Sequence, residues 1–458
     1  MNKSKSIVAL FIVAMFAISI FAAIPARAQT PLLSPGQLQV LGSSTVFPIS
    51  SSAKSDFQTY TGTLTAPFVS TTVTLNDLGS GAGLNALKSS PPTADIAASS
   101  KSGANAGFFG ATYPLSGSSV NDPEEFMIGS DSIAIIVNSG NTWLTQLSAS
   151  QVGDLFRSQG NSAQGGSNAP VYNTWGDWAA AQTPVVTLPS GWSTQTIVRI
   201  GRELSSGTWD GFNTFYMKAF GHEMSYQATG TFTGQTTSGS GGSQAVSNWL
   251  PTNYQGLTAN QDVLNAMKQS TNLYAIAFIG LGFVQNDVGS SHPDGVIPLN
   301  MFNPTSNTYV QPLIARVLDG TYVSNSAPPA VIVRQLWYFM DGIPASNTAA
   351  AVKSLWISYV KSNNAYVTTN GYILMNQADM AGAASGNPNT SVGTQTVPDG
   401  KVDFSDLVYF ASAWIAYNSP AKTLNPYADM SGPSGHPDGA IDFNDLVAFA
   451  NGWIVANS

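Results

Sequence analysis

The chain has 458 residues, of which 43% are apolar and only 9% charged. Soluble domains average about 25% charged residues, which argues against coiled coils and long charged helices. Seventeen Lys and Arg face 25 Asp and Glu, a net charge of −8 without a basic run, which argues against a nucleic-acid binder. There is no cysteine, which removes disulfides, thiolate zinc sites, cysteine nucleophiles and a lipid-modified cysteine anchor. His222, His292 and His436 lie far apart and form no metal-binding spacing, which disfavours histidine chemistry. At about 100–200 residues per domain, the length allows about two to four domains.

Residues 1–28 read as an export signal. Lys3 and Lys5 give the positive start, 7–24 is an apolar run, and Ala26-Arg27-Ala28 has the small-x-small form of a cleavage site. An uncleaved N-terminal anchor is the alternative, because the run is long enough to span a bilayer. Either way the remainder is expected outside the cytoplasm. Residues 31–130 begin with Leu38-Gln39-Val40-Leu41, a strand, entering the polar loop Gly42-Ser43-Ser44-Thr45. Residues 131–295 open on Ser132-Ile133-Ala134-Ile135-Ile136-Val137, a buried strand by run length. They contain two Gly/Ser-rich surface insertions, at 160–170 and 229–247. Tyr274-Ala275-Ile276-Ala277-Phe278-Ile279-Gly280 predicts another strand. Residues 296–370 end in a helical pattern at 352–360, with Leu355, Trp356 and Tyr359 on one face. Strands alternating with helices predict an α/β architecture.

Residues 371–458 hold an internal repeat. One copy reads A-D-M-A-G and then P-D-G-K-V-D-F-S-D-L; the other reads A-D-M-S-G and then P-D-G-A-I-D-F-N-D-L. Two copies of one supersecondary unit are expected. The acids Asp379, Asp399, Asp403 and Asp406, and Asp429, Asp438, Asp442 and Asp445, cluster around Gly400 and Gly439 just before a helix. Hard oxygen donors around a glycine turn suit calcium, with the carbonyls of Lys401 and Ala440 at the backbone-ligand position. The tetrapeptide His292-Pro293-Asp294-Gly295 repeats His436 to Gly439 without the following D-F-x-D-L, so the turn alone carries no weight. The rows Leu407, Phe410, Ala411, Trp414 and Leu446, Phe449, Ala450, Trp453 fall at helical spacing and read as mutual core. This section resembles a pair of dockerin type I repeats, with an insertion between the first and second ligand positions that is long in the first copy. The resemblance implies a small α-helical, EF-hand-like domain that binds calcium and docks to a cohesin-like surface partner. Packing back onto the preceding domain is the alternative.

The segment Arg202-Glu203-Leu204-Ser205-Ser206-Gly207-Thr208 reads as a loop feeding a helix, where N–H groups, hydroxyls and a guanidinium suit a tetrahedral anion. Two further Ser/Gly loops, Gly42 to Pro48 and Gly79-Ser80-Gly81-Ala82-Gly83, precede it. Six segments fall in order: G-S-S-T-V-F-P-I at 42, G-S-G-A-G at 79, A-D-I-A-A-S-S at 94, S-D-S-I-A-I-I-V-N at 130, R-E-L-S-S-G-T at 202 and A-I-A-F-I-G-L-G at 275. Together they resemble the phosphate-binding proteins of phosphate ABC importers. The resemblance implies a two-lobed, type II periplasmic-binding-protein fold that closes on its ligand, and an ABC permease as partner. It implies anion contacts from Thr45, Val46 and Phe47, from Ser80, and from Arg202, Ser206, Gly207 and Thr208. Some family members carry an aspartate after the D-I-x-x-S segment; here Ser100 holds that position. Phosphate is the first expectation, with sulfate, molybdate and tungstate as alternatives. No nucleophile–base pair is evident, so a receptor rather than an enzyme is expected. The rivals are a surface protein on the same fold without transport, and a phosphoester- or glycan-active enzyme.

Overall fold

The computed structural model describes residues 32–456 other than 69, 90, 101–122, 157–171, 204–205, 218–252, 290, 325–330, 343, 371, 375–376, 381–390, 393–394, 397–401, 421 and 433. The expected export signal, both Gly/Ser-rich insertions, and the ligand positions Asp399 and Lys401 lie outside the described residues. Among the described residues no helix is long and apolar enough to cross a membrane.

The first lobe starts with β1 (Gln37–Gly42), α1 (Phe47–Thr61), β2 (Thr72–Asn76), α2 (Ser80–Lys88) and β3 (Ile96–Ser99). β1 pairs in parallel with both β2 and β3, and parallel neighbours need crossovers, which α1 and α2 supply. Close packing of α2 on β1 depends on Gly83, where a Cβ would lie 2.5 Å from the Leu41 carbonyl oxygen. β4 (Pro123–Asp131) completes the outward run, and after Ser132 alone the chain enters β5 (Ile133–Asn138) of a second sheet.

The second lobe continues with short β6 (Gln146–Leu147), β7 (Val198–Arg202), α3 (Gly207–Phe212), β8 (Tyr254–Leu257), α4 (Asn260–Met267), β9 (Ala275–Gly280), β10 (Val296–Pro298), β11 (Asn300–Asn303) and β12 (Thr308–Val310). A π turn over Asn213–Met217 extends α3. Its main sheet has the order β10-β5-β9-β7-β8, and β6 joins β11 and β12 in a smaller sheet. β5 and β9 are buried at every position. That explains their unbroken apolar runs, since a central strand covered on both faces shows no alternation. β13 (Arg334–Asp341) then returns to the first sheet, whose order is β2-β1-β3-β13-β4. The second lobe therefore runs past residue 295, where its end was expected. β10 pairs with β5, and Val317, Tyr322 and Ile332 belong to the second lobe's core.

Two adjacent crossings join the lobes. At one, β4 passes into β5 through Ser132; at the other, the chain leaves Ile332 for β13. Ser132 Oγ donates to the Ile332 carbonyl, and Arg334 is the register partner of Asp131 and forms a buried ion pair with it. The chain re-engages this hinge once more, as Ile373 bridges to Ser130.

The C-terminal repeat is two like units. α6 (Phe404–Asn418) and α7 (Phe443–Ala456) follow α5 (Ala351–Ser362) in the chain. Asp406 accepts from Met380 N at 2.6 Å and Asp403 N at 2.7 Å; Asp445 accepts from Met430 N at 2.6 Å and Asp442 N at 2.7 Å. Phe410 stacks on Phe449 with centroids 5.2 Å apart, so the apolar rows are a mutual core. The pair also packs on the first lobe as part of one continuous core cluster. Tyr427 lies against Phe126 at 5.3 Å, Tyr60 OH donates to the Pro437 carbonyl at 2.7 Å, and Lys361 Nζ donates to Gln377 O at 2.9 Å. α5 is buried on all sides from Ala351 to Lys361, since the sheet covers one face and the repeat covers the other. The amphipathic pattern read for this helix marks only the inner face. A Phe449→Ala variant is expected to lose about 3–5 kcal/mol, with the repeat and the first lobe melting in one calorimetric transition.

Candidate functional site

The loops at the carboxyl ends of β1, β3 and β7 meet between the lobes, and the site is built there. Gly42 allows the first turn: its φ is +140°, and a Cβ would lie 2.1 Å from the Ala98 carbonyl oxygen. The chain then places Ser43, Ser44 and Thr45, all buried, ahead of α1. Thr45 N donates to Ser43 Oγ at 3.1 Å, while Val46 N and Phe47 N both donate to the Ser43 carbonyl, at 3.1 and 2.9 Å. Val46 side-chain burial is complete, so it serves the first lobe's core. Ser80 opens α2, and its Oγ accepts from Ser100 N at 3.1 Å. Ser100 Oγ in turn accepts from Ser43 Oγ at 3.1 Å and lies 3.3 Å from Ser80 Oγ. Asp95, which begins the Ser100 segment, is structural: it accepts from Leu33 N at 3.0 Å and Gln39 N at 2.9 Å.

The second lobe supplies the cationic half. Strand alternation in β7 sends Arg199 and Arg202 to opposite faces. Arg199 donates to the carbonyls of Leu155, Ile197 and Tyr172 inside the lobe, away from the site. Arg202 is fully buried, with Nε donating to Leu257 O at 3.0 Å and Nη2 to Ser44 Oγ at 2.6 Å and to Thr258 O. Burial, and secondly the charge of Arg334, push its guanidinium down to about 10, so it stays protonated at neutral pH. Thr208 N donates to Ser206 Oγ at 3.1 Å, and Thr208 Oγ1 lies 3.3 Å from Thr45 Oγ1 across the lobes. Gly207 faces the Ser100 backbone so closely that a Cβ would lie 2.8 Å from the Ser100 carbonyl oxygen. The lobes are thus shut on each other, and Thr45, Ser80, Ser100, Arg202, Ser206, Gly207 and Thr208 come together in one buried place.

A family model described as the PBP superfamily domain matches residues 28–322. The chain belongs to the PBP superfamily. The described lobes show the mixed α/β fold of type II periplasmic-binding proteins in this PBP-superfamily chain. No curated protein matches it. Solved structures similar to it include the following three. An ABC-type phosphate transport receptor from Vibrio cholerae is 20% identical, covering 74% of this chain and 99% of that one, with a TM-score of 0.43. A putative phosphate ABC transporter substrate-binding protein with bound phosphate, from Clostridium perfringens, is 17% identical over 74% and 99%, TM-score 0.42. A possible phosphate binding protein from Planctomyces limnophilus is 16% identical over 75% and 94%, TM-score 0.40.

Several groups at this PBP-superfamily site were not singled out from sequence. Asn260 opens α4, with Nδ2 donating to Thr45 Oγ1 at 3.4 Å and Oδ1 accepting from Gly280 N at 3.3 Å. Tyr372 OH donates to the Thr45 carbonyl at 2.6 Å. Arg334 Nη2 donates to Thr45 Oγ1 at 3.3 Å and, with Nε, to Asp131. The available signal was scarcity: in a chain only 9% charged, an Asp two residues ahead of an unbroken apolar run is unusual.

The repeat's acids form a separate group. Asp429 accepts from Asp438 N and Gly439 N, both at 3.2 Å. Burial, then the charges of Asp445 and Asp438, push Asp429 well above the usual carboxylate range. Asp438 accepts from Ala440 N at 3.0 Å and Asp442 from Asn444 N at 2.7 Å. Asp379 and Asp406 of the first copy are likewise buried. Among the described residues no three such side chains converge to metal distance. The donors are all hard oxygens around Gly439, at φ +81°, which suits calcium chemically, but the cage is not closed.

Proposed function

We propose that the chain is an extracytoplasmic solute-binding receptor that captures an inorganic oxyanion, phosphate first, and delivers it to an ABC permease. The protein is a receptor and not an enzyme. The observation that carries the reading is the meeting of hydroxyls from the first lobe with Arg202 and Thr208 of the second, in a place closed to water. A buried guanidinium beside neutral hydroxyl and N–H donors favours a tetrahedral oxyanion, and one bound between two lobes holds them shut. Equilibrium dialysis of ligand-stripped protein with labelled phosphate, competed by sulfate, molybdate and tungstate, tests the ion. Saturable phosphate retention supports the reading; retention of none of the four ions refutes it and favours a surface protein without transport.

The Ser100 position bears on ion choice. A hydroxyl both donates and accepts, so it tolerates hydrogen phosphate and sulfate alike, whereas a carboxylate accepts from the first and repels the second. Ser100→Asp is expected to lower sulfate affinity at least tenfold, about 1.4 kcal/mol, and to leave phosphate the better ligand in the same dialysis.

The C-terminal repeat is proposed to bind calcium through Asp429, Asp438, the Ala440 carbonyl, Asp442 and Asp445, and through the matching positions of the first copy. Calcium would neutralise the crowded carboxylates there. Phe404 and Phe443 occupy equivalent positions at the starts of α6 and α7 and are 62% and 68% exposed. They supply the surface for docking to a cohesin-like partner, with the receptor held at the cell surface. Calcium is expected to raise the melting temperature of the intact chain, and a chelator to reverse it; no shift on adding calcium would contradict this part.

A further inference from the structure

We infer that Arg334 is a second guanidinium of the anion site, held in place by Asp131, so that the site takes a doubly charged oxyanion directly at the hinge. This rests on the receptor reading and adds a ligand contact to it.

The argument begins with donors and acceptors. Thr45 Oγ1 lies 3.3 Å from Thr208 Oγ1, 3.4 Å from Asn260 Nδ2 and 3.3 Å from Arg334 Nη2. One hydroxyl oxygen accepts from at most two donors, and these distances are long for good hydrogen bonds. Arg202 Nη1 reaches Thr208 Oγ1 only at 3.5 Å. Arg334 Nη1 is buried and, among the described residues, has no hydrogen-bond partner. The residue is only 7% exposed, and an orphaned buried charged donor is costly. Donors from both lobes thus outnumber acceptors at one point, and an oxyanion supplies the missing ones.

Charge points the same way. Arg334 is close enough for its charge to act on Arg202, and Asp131 is the carboxylate paired with Arg334. Glu203 and Asp262 also act on Arg202, at greater remove in the order of influence. Asp131 is spent on holding its partner: Oδ2 accepts from Arg334 Nε at 3.2 Å and from Nη2, and Oδ1 accepts from Ser132 N at 2.7 Å. It orients one edge of the guanidinium and leaves Nη1 on the other. Gly280 makes the room, since a Cβ there would lie 2.9 Å from Asp131 Oδ2, 3.1 Å from Asn260 Nδ2 and 3.3 Å from Arg334 Nη2. Arg334 is the first residue of β13 and Asp131 the last of β4. An anion on Arg334 therefore pulls on both crossing strands, and Asp131 is a positioning residue.

The test is calorimetric titration with inorganic phosphate and with sulfate, comparing wild type, Arg334→Gln, Arg334→Lys, Asp131→Asn, Arg202→Ala and the double variant Asp131→Asn/Arg334→Gln. The double variant removes the pair together, so no lone buried carboxylate is left to unfold the hinge. Expected are at least tenfold weaker binding of both dianions in Arg334→Gln and in the folded double variant, and partial recovery in Arg334→Lys. Asp131→Asn alone is expected to weaken binding less than Arg334→Gln does. If the double variant folds and binds within twofold of wild type while Arg202→Ala abolishes binding, Arg334 is no ligand and the receptor reading survives. If wild type binds neither ion, the receptor reading fails and this inference fails with it.

Discussion

Arg202→Ala is expected to abolish measurable anion binding. Among the described residues, Arg202 is the one cation that the second lobe brings to the meeting of Thr45, Thr208 and Ser44, and it is wholly buried. Truncating one partner of a buried, hydrogen-bonded charge pair costs about 2–5 kcal/mol, which at 1.4 kcal/mol per decade is about 30- to 4,000-fold in affinity. Arg202→Lys separates charge from shape. It keeps the positive charge but loses the planar fork that reaches Leu257 O and Ser44 Oγ together, so it is expected to recover only part of the loss. Full recovery with lysine would mean that charge alone sets affinity.

Gly207→Ala is expected to leave each lobe folded and to stop the lobes from closing. In the shut arrangement an alanine Cβ would lie 1.9 Å from Ser100 Oγ and 2.8 Å from the Ser100 carbonyl oxygen. The hydroxyl can turn away; the carbonyl, fixed where β3 ends, cannot. In the open protein the same methyl meets nothing from the first lobe, and alanine suits the start of α3. The unliganded melting temperature should therefore stay near wild type, while phosphate affinity falls at least tenfold, about 1.4 kcal/mol. X-ray scattering with saturating phosphate should show wild type contracting and the variant staying extended. Ser100→Gly in the same chain relieves the side-chain clash only, so it should restore closure in part. Normal contraction of Gly207→Ala would contradict the placement of Gly207 against Ser100.

The α/β architecture and the Ser/Gly loops were readable because each depends on local pattern. Ile133–Asn138 and Ala275–Gly280 announce central strands by unbroken apolar runs, and the Ser/Gly loops announce turns that need small residues. Arg202, Ser206 and Thr208 were legible for the same reason, sitting within seven residues of chain. Arg334 and Asp131 were not, because they are 203 positions apart and only strand pairing across the hinge joins them. The extent of the second lobe was misplaced for a related reason: Val296–Pro298 looks like the start of a return, and only its pairing with β5 shows that it stays. The helical spacing of Leu355, Trp356 and Tyr359 says nothing about Lys361 and Ser358, which share their helix. Both are buried because the repeat, read as its own domain, covers their side: Ser358 Oγ donates to Pro426 O at 3.2 Å. Periodicity within one helix cannot reveal which distant segment will cover its polar face.

The central claim is that an oxyanion binds between Thr45 and Arg202 and closes the lobes. Calorimetric titration of ligand-stripped protein, residues 29–458, with inorganic phosphate tests it most directly. The account predicts saturable binding at one ion per chain, lost in an Arg202→Ala variant that still unfolds cooperatively. Phosphate binding that survives intact in Arg202→Ala would contradict it.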